Sequence, residues 1–527
     1  MIGTIVHGAR IYDGTSTQPF ETDLGIVGDR IALLGDLHER DAYERIDGTN
    51  RVLAPGFIDV HAHTDELWLV DGRCEGKIRQ GVTTEIGGNC GTSVAPLRGL
   101  AEREKSEAVA TYGAELQWRD LHEFFSLVEG AGVALNVATL VGLGTTRRCV
   151  RGDDDAPLDE HESTRQTRLV REAIEQGALG VSSGLIYVPS RYADARELTA
   201  CARAARDAGM PRYVSHIRSE GDDLLAAVEE AIGIGRDSGV AVHLSHHKAA
   251  GKKNWGKVHR SLDAIARARQ SGQAVAADVY PYVAMWTDLA TILPPDATAG
   301  GREATLERLR DPQTAAALAL RLMLDRTDDE WHDIQISSVA SEANASLAGM
   351  RLDAIARSWR LSPPRAALRL LYEEELAVQA IFFAMTEDDV ATVISAEFVS
   401  IGSDASARAT TGPTAVGVPH PRAFGCFPRV LARYVRGRGT LDLGEAIRRM
   451  TSLAADQFGI VDRGRVRVGD YADLVLFDPD SIVDTATYDF PFAYPRGIDA
   501  VWVNGRAVVR DGETTGARPG RVLRAGR

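Results

Sequence analysis

Residues of the metal-binding kinds recur at the ends of apolar runs along this chain. GFIDVHAHTD places His61 and His63 one residue apart, flanked by Asp59 and Asp65, in a protein with 13 histidines. EIGGNCGTS holds Cys90 among glycines, YVSHIRSE holds His216, and HLSHHK holds His246, His247 and Lys248. Side chains alternate along a strand, so His61 and His63 point to one side, close enough to hold one ion. His216 and His246 are separated by the length of one strand–helix–strand step, which puts them on neighbouring strand ends. Thiolate and imidazole are zinc donors, and three of them leave a fourth position open for water. Cys90, His216 and His246 fit that description, and the softness of the set favours zinc over calcium or magnesium. Taken singly, each residue has a plainer reading: a polar strand end, a core cysteine, a satisfied buried histidine. Their joint placement at the ends of separate strands is what favours a metal site. If His246 faces in, alternation turns His247 away.

Zinc lowers the pKa of a water it binds to near neutrality. Hydrolysis then needs a group that moves protons. Asp404, in IGSDAS, is the candidate general base, and then general acid for a departing amine. Its competing reading is a turn or helix-capping aspartate. Lys248 shares a strand face with His246 and is the natural partner for an anionic substrate group. Tyr187 and Tyr280 are hydroxyl donors near strand ends, with Tyr192 and Tyr282 as competitors, and each also reads as packing. Arg191, Arg218 and Arg422 read as surface or structural residues.

These residues need a frame. FIDVHAH, VTTEIGGN, ALNVATLVG, ALGVSSGLIY, PRYVSHIR, VAVHLSHH, AVAADVYPY and FVSIGSD are strand candidates, with helical patterns between many of them. Asp222 to Ser238 is such a pattern. Eight strands with intervening helices predict an α/β fold of (β/α)8 type, in which chemistry sits at the C-terminal strand ends. The connection from about 283 to 397 is too long for a structureless loop. It holds helical stretches, one with Ser362 as N-cap before Pro363, and reads as an insertion over the barrel mouth, a lid. Both chain ends alternate with Gly/Asp turns. Residues 1–54 and 464–527 are expected to form one small β-sandwich, and 55–463 the catalytic barrel.

The length of 527 residues suits a large domain plus a smaller one. A formal net charge of −14 argues against nucleic-acid or anionic-membrane partners, and no apolar run approaches a membrane span. The N-terminus lacks the pattern of a secretory signal. Five scattered cysteines make no disulfide framework, so a cytoplasmic home is expected. Composition leaves the oligomeric state open.

The motifs APGFIDVHAHTD, GVTTEIGGNCG, GALGVSSGLIY, SHIRSE, HLSHHK, DVYPY, AMTEDDV and IGSDAS together resemble the amidohydrolase superfamily. GGNCG with SHHK resembles its N-acyl-D-amino-acid deacylase branch, the D-aminoacylases. The resemblance covers nearly the whole chain. It implies a (β/α)8 metal-dependent hydrolase barrel and hydrolysis of N-acyl-D-amino acids. It also implies a tight zinc at Cys90, His216 and His246, and a weaker second site at His61, His63 and Cys90. A lysine and tyrosines holding the substrate carboxylate are implied as well, carried onto Lys248, Tyr187 and Tyr280. Dihydroorotases and hydantoinases bridge two metals with a carboxylated lysine on the fourth strand, where ALGVSSGLIY has none. A cyclic-amide hydrolase and a relative without activity are the rival readings.

Overall fold

The computed structural model describes residues 2–15 and 18–526. Its centre is a parallel sheet curled into a barrel. The strands are β1 (Phe57–Asp59), β2 (Val82–Gly87), β3 (Asn136–Thr139, resumed at Val141–Gly142), β4 (Val181–Gly184), β5 (Arg212–His216), β6 (Ala241–Leu244), β7 (Val275–Val279) and β8 (Val399–Ile401). β3 breaks at Leu140, so its first half pairs with β2 and its second half with β4. Helices cover the outside, and the strands are buried almost throughout, as a parallel sheet with both faces covered requires. The helix Leu224–Ser238 starts two residues later than its apolar spacing predicts and stops at Gly239, whose φ of 74° suits a left-handed cap.

β1 and β8 meet through a single bridge, Ala62 to Ala405. The amide of Asp404 donates to the His61 carbonyl at 2.8 Å, and that of His63 to the Ala405 carbonyl at 3.2 Å. A buried cation reinforces this seam. Lys77 Nζ donates to Asp59 Oδ2 at 2.5 Å, and to Ser403 Oγ and the Ala405 carbonyl at 2.8 Å each. Breaking one partner of such a buried pair costs about 3–5 kcal/mol. Lys77 thus supplies, through its side chain, the cohesion that a longer ladder would give.

Between β7 and β8 the chain builds an antiparallel sheet in the order Met285–Asp288, Val378–Phe382, Ile334–Val339. Helices Pro312–Asp325, Leu352–Trp359 and Pro363–Glu373 pack on it around Leu318, Leu322, Trp331, Ile355 and Leu371. This separate core is why so long a connection holds a shape. Ser362 precedes Pro363 at the helix start, but its hydroxyl makes no capping bond. Strands from the two chain ends interleave elsewhere: Val52–Pro55 lies between Arg10–Ile11 and Leu474–Phe477 in one sheet. That sheet and the four-stranded sheet of Ile2–His7, Asp23–Val27, Arg30–Gly35 and Ala42–Asp47 share a core of Val6, Leu24, Leu53, Leu474 and Trp502. Among the described residues no helix is long and apolar enough to cross a membrane.

Candidate metal centre

Three of the residues of interest sit on sharp turns just past their strands. Cys90, His246 and Asp404 have φ of 52°, 34° and 51°, in the left-handed region where residues with a Cβ are strained. Strain of this sort costs about 1–3 kcal/mol and concentrates at working sites. The GGNCG loop can turn so tightly because its backbone meets neighbouring strands without side chains. A Cβ on Gly88 would sit 2.2 Å from the Leu140 carbonyl oxygen, and one on Gly184 would sit 2.0 Å from that of Cys90.

The turns converge on the Cys90 sulfur. Sγ lies 3.3 Å from His61 Nε2, 3.5 Å from His246 Nε2 and 3.6 Å from His216 Nδ1. Two groups of donors close enough to share an ion result: Cys90, His216 and His246; and His61, His63, Cys90 and Asp404. At zinc distances of about 2.3 Å for sulfur and about 2.0–2.1 Å for nitrogen, tetrahedral ligands stand about 3.6 Å apart. The two sulfur–nitrogen spacings in the first group, 3.5 and 3.6 Å, have that value, so its donor set and these distances fit zinc.

Electrostatics agrees. Burial alone would raise the Cys90 thiol, but the imidazoles of His61, His246 and His216 hold it well below the usual range, as a thiolate. Burial opposes protonation of His63, yet Asp404 and Cys90 beside it push its pKa up to about 9. Carboxylates back the rings. Asp278 faces His61 Nδ1 at 3.3 Å. Glu220 Oε1 lies 2.8 Å from His246 Nδ1 and its Oε2 lies 4.0 Å from His216 Nε2. Such carboxylates set the tautomer of a metal-ligating histidine.

Asp404 closes the centre from the β8 side. Its Oδ1 is 3.1 Å from His63 Nε2 and 3.5 Å from His61 Nε2, and Arg422 donates to its Oδ2 at 2.8 Å. Arg422 is thus no surface residue: it is 1% exposed, and among the described residues its Nε and Nη1 have no hydrogen-bond partner. Its guanidinium lies 4.5 Å over the Tyr280 ring, and Lys248 Nζ lies 5.4 Å from the same ring. Among the described residues the Tyr280 hydroxyl also has no hydrogen-bond partner. Lys248 is not a free cation, since its Nζ lies 2.5 Å from Glu220 Oε1 and 2.7 Å from His246 Nδ1. Tyr187 stands edge-on to His216 with centroids 5.2 Å apart, its hydroxyl bonded to Thr287 at 2.8 Å.

The competitors lie elsewhere. Tyr192 donates to the Thr298 carbonyl, Tyr282 packs on His420, and His247 turns away to Ser261 Oγ. Arg218 is tied to Glu230, and Arg191 to Thr298. Glu220 and Asp278 escaped the sequence reading, although both stand in quoted motifs. The signal for Asp278 was its alternation with Tyr280, and for Glu220 its place four residues after His216.

Comparison with known proteins fits this geometry. Residues 374–509 match the amidohydrolase family model. The chain is 37% identical over 522 residues to the N-acyl-D-glutamate deacylase of Alcaligenes xylosoxydans xylosoxydans, covering 99% of this chain and 96% of that one. It superposes with TM-score 0.85 and 35% identity on the N-acyl-D-glutamate deacylase of Bordetella bronchiseptica, complexed with zinc and a phosphonate mimic of the tetrahedral intermediate; 99% and 100% of the two chains are covered. A D-aminoacylase with a binuclear metal centre, showing one-metal activation and second-metal attenuation, matches at TM-score 0.84 and 33% identity, again over 99% and 100%.

Proposed function

The chain belongs to the N-acyl-D-amino-acid deacylases of the amidohydrolase family, and from that footing we propose that it hydrolyses the amide bond of N-acyl-D-amino acids, releasing a carboxylate and a D-amino acid. The observation that carries the reading is one thiolate, Cys90, shared by two donor groups with Asp404 facing it. Cys90, His216 and His246 are the ligands of the working ion. Zinc held there supplies an acidified water and polarises the acyl carbonyl.

The remaining chemistry belongs to the chain. Asp404 takes a proton at Oδ1, the oxygen not engaged by Arg422, and delivers it to the amide nitrogen, which leaves poorly unless protonated. The substrate α-carboxylate seats against Lys248, Tyr280 and Arg422. Two cations flank one ring there, and three buried donors lack partners. Tyr187, expected at the carboxylate, stands beside His216 with its hydroxyl on Thr287. A second ion at His61, His63, Cys90 and Asp404 would tie up the carboxylate that moves the proton, so it slows turnover.

The segment from about 283 to 397 works as a lid over this mouth, with 1–54 and 464–527 as the small β-domain. Its first strand touches the site, since Arg422 Nη2 donates to the Trp286 carbonyl at 3.3 Å. Two charges on this side form no salt bridge among the described residues. Arg408 lies 5.1 Å over the Trp286 ring, and Asp288 is bonded to the Gln379 amide. The five cysteines are unpaired and buried, which suits a reducing cytoplasm.

The test is turnover on N-acetyl-D- and N-acetyl-L-amino acids with acidic, basic and neutral side chains, after chelation and stepwise return of zinc. Activity is expected on D-substrates, rising with the first equivalent and falling with excess. Preference for L-substrates, or full activity without metal, would overturn the proposal.

A further inference from the structure

Asp278, one residue short of the end of β7, is shared by groups from two other strands. Its Oδ2 lies 3.3 Å from His61 Nδ1 and 2.9 Å from His243 Nε2, and its Oδ1 accepts the backbone N–H of His246 at 2.9 Å. It is fully buried, and among the described residues no lysine or arginine pairs with it. A carboxylate has no proton to give, so both ring nitrogens facing Oδ2 carry theirs. For His61 this leaves Nε2 as the ligating nitrogen, and Nε2 is the atom 3.3 Å from Cys90 Sγ and 3.5 Å from Asp404 Oδ1. The other carboxylate oxygen secures the strained left-handed turn at His246, which brings that ring to 3.5 Å from the same sulfur. Space is kept for this contact by Gly402, where a Cβ would fall 2.6 Å from His61 Cβ and 2.9 Å from Asp278 Oδ1.

We propose that Asp278 is a positioning residue for both metal groups: one oxygen selects the His61 tautomer that the second group needs, while the other holds the turn of His246 in the first. The inference rests on the metal-site reading given above. Asp278→Asn separates the two tasks. A backbone N–H has no alternative tautomer, so the amide oxygen stays with His246. The amide NH2 then replaces Oδ2 and confronts N–H groups. His61 can answer it only by moving its proton to Nε2, which ends its use as a ligand.

The experiment is equilibrium dialysis of wild type, Asp278→Asn and His243→Asn against rising free zinc, with circular dichroism as the check on folding. Asp278→Asn is expected to keep the first zinc at wild-type affinity and to bind the second about 10- to 100-fold more weakly. His243→Asn leaves Asp278 on His61 and is expected to keep both. A second zinc bound normally by Asp278→Asn, or loss of both ions together, would overturn the assignment. A wild type that takes up one zinc overturns it too, while a wild type that takes up none brings down the parent reading as well. Should Asp278→Asn not fold, imidazole ¹H–¹⁵N spectra of the wild type decide: His61 must carry its proton on Nδ1, and an Nε2–H tautomer refutes the proposal.

Discussion

Asp404 meets opposed demands at one carboxylate. Burial works against its charge, while Arg422, His246, His63 and His61 hold its pKa well below the ordinary carboxylate range. It therefore enters neutral solution ionised, as a base must. Asp404→Asn preserves the shape and the Arg422 contact to one oxygen but removes the proton acceptor. Zinc content at Cys90, His216 and His246 should stay near that of the wild type, because Asp404 is outside that group. kcat should fall by about 10²–10⁴, the usual weight of general acid–base catalysis. Single-turnover rates with metal analysis check this, and a variant keeping more than about a tenth of the rate would place the base elsewhere.

The strand Met285–Asp288 joins the insertion to the site. It pairs antiparallel with Val378–Phe382, and that sheet is stiffened by the core behind it. Thr287 passes this rigidity to Tyr187 through the hydroxyl contact at 2.8 Å. Thr287→Val keeps the volume and removes the bond, leaving a buried phenol without a partner. A hydrogen bond of this kind is worth about 0.5–1.5 kcal/mol net, so kcat/KM should fall about 2- to 12-fold with zinc content unchanged. An unaltered kcat/KM would show that the insertion does not position Tyr187. The eight barrel strands were legible as apolar runs ending in polar residues. The insertion was legible as an excess of length, and its helices by their spacing. Its sheet was not, because antiparallel pairing of Val378–Phe382 with strands some 40 and 90 residues earlier leaves no local pattern.

Across the whole molecule, buried titratable groups couple folding to pH. His247 is buried against Ser261; burial first, and then the Lys248 charge, pushes its pKa down to about 4. Unfolded, it titrates near its ordinary value of about 6.5. Between those values the unfolded chain binds the proton and the folded chain does not. Stability is therefore full above about pH 6.5 and is lost as pH falls towards 4, by up to about 3 kcal/mol from this residue. Burial pushes Asp65 up to about 6, which acts in the opposite direction below that pH. A difference measurement isolates His247. His247→Gln can still bond Ser261 but does not titrate, so the metal-free variant should lose less Tm than metal-free wild type between pH 7 and pH 5. Parallel losses would place the acid sensitivity in other groups.

Sequence alone brought out the candidate donors Cys90, His61, His63, His216 and His246, because thiolate and imidazole suit zinc, and period-two alternation and strand–helix–strand spacing set them at strand ends. It also determined the barrel, since eight apolar runs with helices between them close in few other ways. Tertiary structure decided which neighbours complete each donor. Arg422 against Asp404, Glu220 under His246 and His216, and Asp278 under His61 join residues 4 to 217 positions apart. Tertiary structure also set Tyr280 under Arg422 and Lys248, set Tyr282 against His420, and paired Lys248 with Glu220. The physical reason is that hydrogen-bond partners and burial depend on how turns at separate strand ends converge. Local propensity sets where a strand stops, but it carries no information about what the next strand end brings within 3 Å.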